Sequence, residues 1–189
     1  MLYLVRHGRT AANASGLLQG RLDPPLDEIG RKQAVAIAHL VGPVDAVIAS
    51  SLVRARETAE CFGLPVEVDD RWIEFAYGEY EGVPAAEVPN EVWQAWRTDA
   101  EFATAGGECF GALDARVRAA CDELAERIGR EDIVVVSHVS PIKAAVAWAL
   151  NTSLEIMFHC HLAQASVCRV GMGKFGPLLH TFNEQPIPA

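Results

Sequence analysis

No stretch of the chain approaches the ~18 consecutive apolar residues of a membrane-spanning helix, so a transmembrane protein is not expected. No basic segment leads into a long apolar run, so no secretory signal peptide is expected either. Positive charge is in deficit. Against 25 Asp and Glu stand 16 Lys and Arg, for a net charge of −9 and a pI near 5.1, which argues against a nucleic-acid partner. Phosphate stays open, because a local cluster of donors binds it whatever the bulk charge. Cysteine is sparse. Cys61, Cys109, Cys121, Cys160 and Cys168 are odd in number, widely spaced and without a C-x-x-C pair, the pattern of reduced structural thiols in a cytoplasmic protein. Internal repeats, low-complexity tracts and linkers are absent too.

What is there is an ordinary globular balance: 50% apolar and 22% charged residues over 189 positions, enough for one domain spanning 1–189. Leu2-Tyr3-Leu4-Val5 reads as a short buried strand that stops at Arg6-His7-Gly8. Residues 11–20 read as a loop of small and polar residues. Asp27 is a candidate N-cap for a helix over 28–41, with Ile29, Ala36, Ile37 and Leu40 as its core face and Gly42-Pro43 as its stop. A second buried strand covers 45–49, a second helix about 52–62, and Val66 and Val68 mark a short third strand. Residues 69–107 have the least regular pattern, interrupted by Pro84 and Pro89, with a weak helical signal over 90–98. Within it, 75–107 is the expected lid or specificity segment, and Trp93 and Trp96 are expected in lid or core packing. Phe110, Leu113, Val117, Cys121, Leu124 and Ile128 recur every three or four residues and predict a helix over 108–128 capped by Gly129. Residues 132–137 form another β-branched strand, Pro141 suits the first turn of a helix running to Leu150, and 165–170 with 178–182 read as a closing hairpin. Strands alternating with helices predict a single α/β domain with a mostly parallel sheet flanked by helices.

The buried strands end in polar groups at Arg6-His7, Ser50-Ser51 and His138, and parallel strands bring their carboxyl ends to one edge, where ligands bind in such sheets. Taken alone, Arg6-His7 suits either a catalytic pair or an ordinary strand exit. With Arg54 just beyond the second strand, two arginines and two histidines would converge into a pocket for a dianionic phosphoryl group, which guanidinium forks match in bidentate geometry. A histidine there can attack phosphorus and form a covalent intermediate.

At these residues the chain resembles the histidine phosphatase superfamily, also called the phosphoglycerate mutase-like family. Arg6-His7-Gly8 with Thr10 and Asn13 is similar to its first motif, followed by Gln19-Gly20, Asp23, Pro25-Leu26 and Gly30 at the family's spacing. Ser50-x-Leu52-x-Arg54-Ala55-x-Glu57-Thr58 resembles the second motif, and Glu74-x-x-x-Gly78-x-Tyr80-Glu81-Gly82 the acid motif. Gly106-Gly107-Glu108 and Val136-Ser137-His138 resemble the last two. The resemblance implies a phosphoglycerate mutase-like fold, with His7 as the nucleophile that becomes phosphohistidine. It implies that Arg6, Arg54 and His138 hold the phosphoryl group and that Glu74 is the proton donor, with Glu79 and Glu81 as rivals for that part. Thr10, Asn13, Gln19, Gly20 and Val139 would be substrate contacts, although Asn13 is also a good turn residue. The scheme needs no metal and no cofactor, and its partner is a small phosphorylated substrate.

Val139 stands where many members carry glycine, Ser140-Pro141 is atypical, and Cys109 replaces a serine in a position read as structural. His159, Cys160 and His161 form only an incomplete metal set. Cofactor-dependent mutases of the family carry Glu-Arg-His-Tyr-Gly where this chain has Glu74-Phe75-Ala76-Tyr77-Gly78, and the chain is short for such a mutase. Hydrolysis of a small phosphomonoester is therefore expected. Mutase-type phosphoryl transfer, and phosphate binding without turnover, are the alternatives.

Overall fold

A computed structural model describes residues 1–186. Its centre is a six-stranded sheet of order β3-β2-β4-β1-β5-β6, built from β1 (Leu2–Arg6), β2 (Ala46–Ala49), β3 (Val66–Val68), β4 (Ile133–Ser137), β5 (Val167–Gly173) and β6 (Gly176–Glu184). β1, β2, β3 and β4 run parallel, and β5 and β6 close one side antiparallel. The two central strands are buried on both faces, which requires apolar residues at every position before the closing Arg6 and Ser137. Their side chains alternate: Leu2, Leu4, Ile133 and Val135 enter one core, and Tyr3, Val5, Val134 and Val136 the other.

The second core lies under α2 (Glu28–Val41) and α3 (Val53–Ala59), which continues as a 3-10 turn over Glu60–Phe62. Asp27 caps α2 as expected, its Oδ1 taking the Gly30 N–H at 2.7 Å. The core face differs from the expectation. Gly30, Ala34 and Ile37 are buried, while Ile29 is 46% exposed. Gly30 faces inward because the helix start packs on the backbone after β1. A Cβ on Gly8 would stand 2.4 Å from the Gly30 carbonyl oxygen, so only glycine permits the approach.

The other core lies under α5 (Phe110–Ile128) and α6 (Val139–Ala149). α5 begins two residues later than expected because Cys109 is its N-cap, with Sγ accepting from the Ala112 N–H at 3.4 Å. The expected loop over 11–20 contains one helical turn, α1 (Ala11–Ala14), whose N-cap Thr10 and third residue Asn13 bond reciprocally. The hairpin strands also run further than expected, leaving only Lys174 and Phe175 between them.

Between β3 and α5 the chain makes three short 3-10 turns and α4 (Asn90–Thr98). Aromatic packing holds this segment down. Trp96 is buried among Phe75, Tyr77, Tyr80, Trp93 and Phe102, and Phe75 stacks flat on Phe110 with ring centroids 4.2 Å apart. Trp93 and Trp96 are thus core packing.

Candidate active site

The carboxyl ends of β1, β4 and β2 are neighbours in the sheet, so the residues that follow them meet at one edge. Register sets the level: Arg6 lies opposite Ser137 and Ala49 opposite Val136. His7 N–H then bonds to Ser137 O at 3.0 Å and Ser50 N–H to Val136 O at 3.1 Å, extending each ladder by one step. His7 and His138 arrive with ring centroids 5.1 Å apart.

His7 is buried, and its two ring nitrogens are distinct. Nδ1 lies 2.6 Å from the Gly8 carbonyl oxygen, which accepts only, so the ring proton sits there. Nε2 accepts from Arg54 Nε at 3.3 Å and carries the lone pair. Burial, with Arg54 and Arg6 beside the ring, holds its pKa well below 6.5, and the imidazole is neutral at pH 7. Burial and the same two guanidinium groups hold His138 well below 6.5 also. Its Nε2 meets Ser50 Oγ at 2.8 Å, and its Nδ1 has no partner among the described residues.

Arg54 is almost wholly buried at the start of α3. Its Nη1 donates to Leu22 O at 2.6 Å and Nη2 to Gly20 O at 2.8 Å, which locks the fork in place. Gly20 has a positive φ of 51°, and the Glu81 carboxylate fills the space where a Cβ would stand. Thr58, one helical turn after Arg54, accepts the Gly8 N–H at 3.1 Å and ties the two motifs together. Arg6 donates through Nη1 to Leu162 O and leaves Nε unpartnered. Burial lowers its pKa to about 10, opposed by the Glu74 charge, and it remains a cation at neutral pH.

Glu74 reaches in from the irregular segment. Its carboxylate accepts the Phe75 N–H at 2.8 Å and, at 3.2 Å each, the N–H groups of Val139 and Ser140 at the start of α6. Those donors belong to the four unpaired N–H groups that open any helix. Glu79 is exposed and Glu81 bonds to the Arg21 N–H, so of the three carboxylates only Glu74 enters the cavity.

Arg6, His7, Arg54 and Glu74 line a cavity of ≈ 210 Å³ together with Asn13, Leu17, Leu18, Gln19, Tyr77 and Val139. Leu17 and Leu18 are held over it by pairing with the acid-motif segment, Leu18 N–H to Val83 O at 2.9 Å and Gly82 N–H to Leu18 O at 2.7 Å. Of the expected contacts, Asn13, Gln19 and Val139 line the cavity. Thr10, Gly20 and the expected phosphoryl contact His138 do not; His138 is fully buried beside His7. The Thr10 hydroxyl caps α1 and bonds to Gln19 Oε1 at 2.9 Å, and Gly20 offers its carbonyl to Arg54, so both shape the site from behind it. Reasoning from the sequence left out Ser50 as the partner of His138 and the apolar wall of Leu17 and Leu18. Ser50 had a signal, as the first polar residue after a buried strand. Leu17 and Leu18 had none, because their pairing partners lie some 65 residues on.

Comparisons with known proteins identify the family. The family model of the histidine phosphatase superfamily (branch 1) matches residues 2–185. The bifunctional protein Rv2228c of Mycobacterium tuberculosis is 35% identical over 176 residues, covering 88% of this chain and 48% of that protein. The chain thus spans about half the length of the first curated relatives it matches. Phosphoserine phosphatase 1 of Hydrogenobacter thermophilus is 34% identical over 180 residues, 88% of this chain and 84% of the relative. Among solved structures, mycobacterial glucosyl-3-phosphoglycerate phosphatase in complex with VO3 superposes with a TM-score of 0.86 at 31% identity, covering 97% of this chain and 98% of that one.

Proposed function

The chain belongs to branch 1 of the histidine phosphatase superfamily, and from that premise we propose that it hydrolyses a small phosphomonoester through a phosphohistidine on His7. The observation that carries this reading is the held, unprotonated Nε2 of a buried neutral histidine between two guanidinium groups. In the first step the Nε2 lone pair forms a bond to phosphorus. The ester P–O bond breaks, and the leaving oxygen takes a proton from the Glu74 carboxyl. In the second step the Glu74 carboxylate accepts a proton from water, the water oxygen bonds to phosphorus, and the N–P bond returns its electron pair to His7. Arg6 and Arg54 stabilise the charge on the non-bridging oxygens throughout, which is the main catalytic demand of phosphoryl transfer.

His138 completes the cradle. Ser50 Oγ accepts the Leu52 N–H at 3.3 Å and has its own proton to give to His138 Nε2. The imidazole proton then belongs on Nδ1, the nitrogen without a partner among the described residues, which becomes a donor for a phosphoryl oxygen. Every group in the scheme is a side chain of this chain, and it calls for no metal and no cofactor. Transfer to water rather than to a second substrate is supported by Phe75 and Ala76. Both are buried, and Phe75 is stacked on Phe110, so neither offers the cavity a group to grip a phosphorylated acceptor.

Among the described residues no helix is long and apolar enough to cross a membrane, and all five cysteines are free. Free thiols suit a reducing compartment, and we assign the protein to the cytoplasm.

The test is release of inorganic phosphate from phenyl phosphate in the presence of a chelator, with enzyme quenched in alkaline detergent analysed for a phosphoryl group that is stable to base and labile to acid. Wild type should turn over and carry the label. His7→Ala should do neither while melting as a folded protein. Full turnover by His7→Ala would overturn the mechanism.

A further inference from the structure

The cavity lining mixes two chemistries. Arg6 and Arg54 supply its positive charge. The rest of the lining besides His7 and Glu74 is Leu17, Leu18, Tyr77 and Val139, with the uncharged amides of Asn13 and Gln19, and this is the wall left for the alcohol part of a substrate. Burial and the nearby Glu74 push the Tyr77 phenol up, so it stays neutral as well.

Three further cations, Arg21, Arg116 and Lys143, are engaged elsewhere. Arg21 reaches Glu108 at 3.4 Å, and Arg116 bonds to Glu108 at 2.8 Å and to the Arg71 carbonyl at 2.7 Å. Lys143 donates to the Met157 carbonyl at 2.7 Å. None of the three lines the cavity. A neighbouring charge has the opposite sign: Glu81 folds against Gly20, and among the described residues its carboxylate takes the Arg21 backbone N–H and no side-chain cation. A substrate carboxylate here would give up water for leucine, valine and a phenol ring, and the cavity's two cations, Arg6 and Arg54, are the ones the phosphoryl group takes, which is costly for an ion.

We propose that the leaving group of the physiological substrate is uncharged and largely apolar, and that the wall of Leu17, Leu18, Tyr77 and Val139 selects against phosphomonoesters whose alcohol part bears a carboxylate. This rests on the hydrolytic reading above. It separates the chain from relatives named for phosphoserine and glucosyl-3-phosphoglycerate, both of which carry such a carboxylate.

Two matched pairs test it: phenyl phosphate against 4-carboxyphenyl phosphate, and glycerol 3-phosphate against 3-phosphoglycerate. Within each pair one carboxylate is the main change. In the aryl pair the carboxylate makes the phenolate a slightly better leaving group, so intrinsic reactivity opposes the expected preference. The uncharged member should show a kcat/KM higher by about tenfold or more, the effect of one unpaired charge at roughly 1.4 kcal/mol. Leu17→Lys, which adds a cation to the wall, should narrow both ratios by about fivefold, and Glu81→Gln by about twofold. Equal or reversed ratios in wild type, or ratios that Leu17→Lys leaves unchanged, would overturn the inference alone. Turnover of none of the four compounds would overturn the hydrolytic reading and this inference with it.

Discussion

Arg54 Nε donates to His7 Nε2 across 3.3 Å, so the cation that would hold the phosphoryl group also holds the nucleophile unprotonated. One contact thereby couples two functions, since a protonated His7 has no lone pair for phosphorus.

The first consequence concerns pH and stability. His7 and His138 both have folded pKa values well below 6.5, whereas the unfolded chain takes up these protons near 6.5. Below that value the unfolded state binds more protons than the folded one, so stability rises with pH up to about 6.5 and is flat in this respect above it. Each histidine contributes a slope of up to about 1.4 kcal/mol per pH unit. Urea midpoints at pH 7.5, 6.5 and 5.5 should show about three quarters of the loss in the last interval, and His7→Gln should remove about half of it. An undiminished slope in His7→Gln would show that the charge on this ring is not what the fold resists.

Glu74 sets the second prediction. As general acid it matters most when the leaving oxygen is strongly basic. Glu74→Gln should lower kcat on an alkyl phosphate by about 10²–10³ and on 4-nitrophenyl phosphate far less, because nitrophenolate departs without a proton. A uniform loss on both would reassign Glu74 to holding the start of α6, where it takes the Val139 and Ser140 N–H groups.

Ser50 is the third. Its hydroxyl sets the tautomer of His138, and Ser50→Ala leaves the ring free to carry its proton on Nε2 instead. The expected result is a fall in kcat of about tenfold, the size of one lost hydrogen bond to a charged group, with KM little changed. Ser50→Thr, which keeps the hydroxyl, should recover most of it. No recovery would mean that the alanine variant acts through packing.

The fourth separates fold from chemistry at Phe75. The residue sits where related mutases carry arginine, yet here it stacks on Phe110 in the core. Phe75→Ala should cost about 3–5 kcal/mol in urea or thermal unfolding, and Phe75→Arg more, without creating mutase activity. Conversion of 3-phosphoglycerate to 2-phosphoglycerate by Phe75→Arg would show that this side chain can turn toward the cavity.

Vanadate offers a fifth check, independent of turnover. At 100 times its Kd it should stabilise the wild type by about 2.7 kcal/mol, and this should vanish in Arg54→Ala, where the fork is gone. A shift that survives Arg54→Ala would locate the anion elsewhere.

Local pattern was enough for the parts of this protein that depend on near neighbours in the chain. Buried strands announce themselves by unbroken apolar runs, α5 by its period and α2 by Asp27. The residues at the strand ends were legible because a parallel sheet sends every such end to the same edge. Patterns failed where long-range contact decides. Ile29 matched the apolar period of α2, but the approach of Gly30 to Gly8 rotates it into solvent. The reciprocal bonds of Thr10 and Asn13 turned an expected loop into a helical turn.

By itself, then, the sequence determined the α/β architecture and which histidines and arginines stand at its carboxyl edge, because both follow from periodicity and strand direction. Only the tertiary structure decided which nitrogen of His7 is free, that Ser50 partners His138, that Glu74 and not Glu81 reaches the cavity, and that leucines roof it. Those outcomes depend on hydrogen bonds and packing between segments tens of residues apart, which no local pattern encodes.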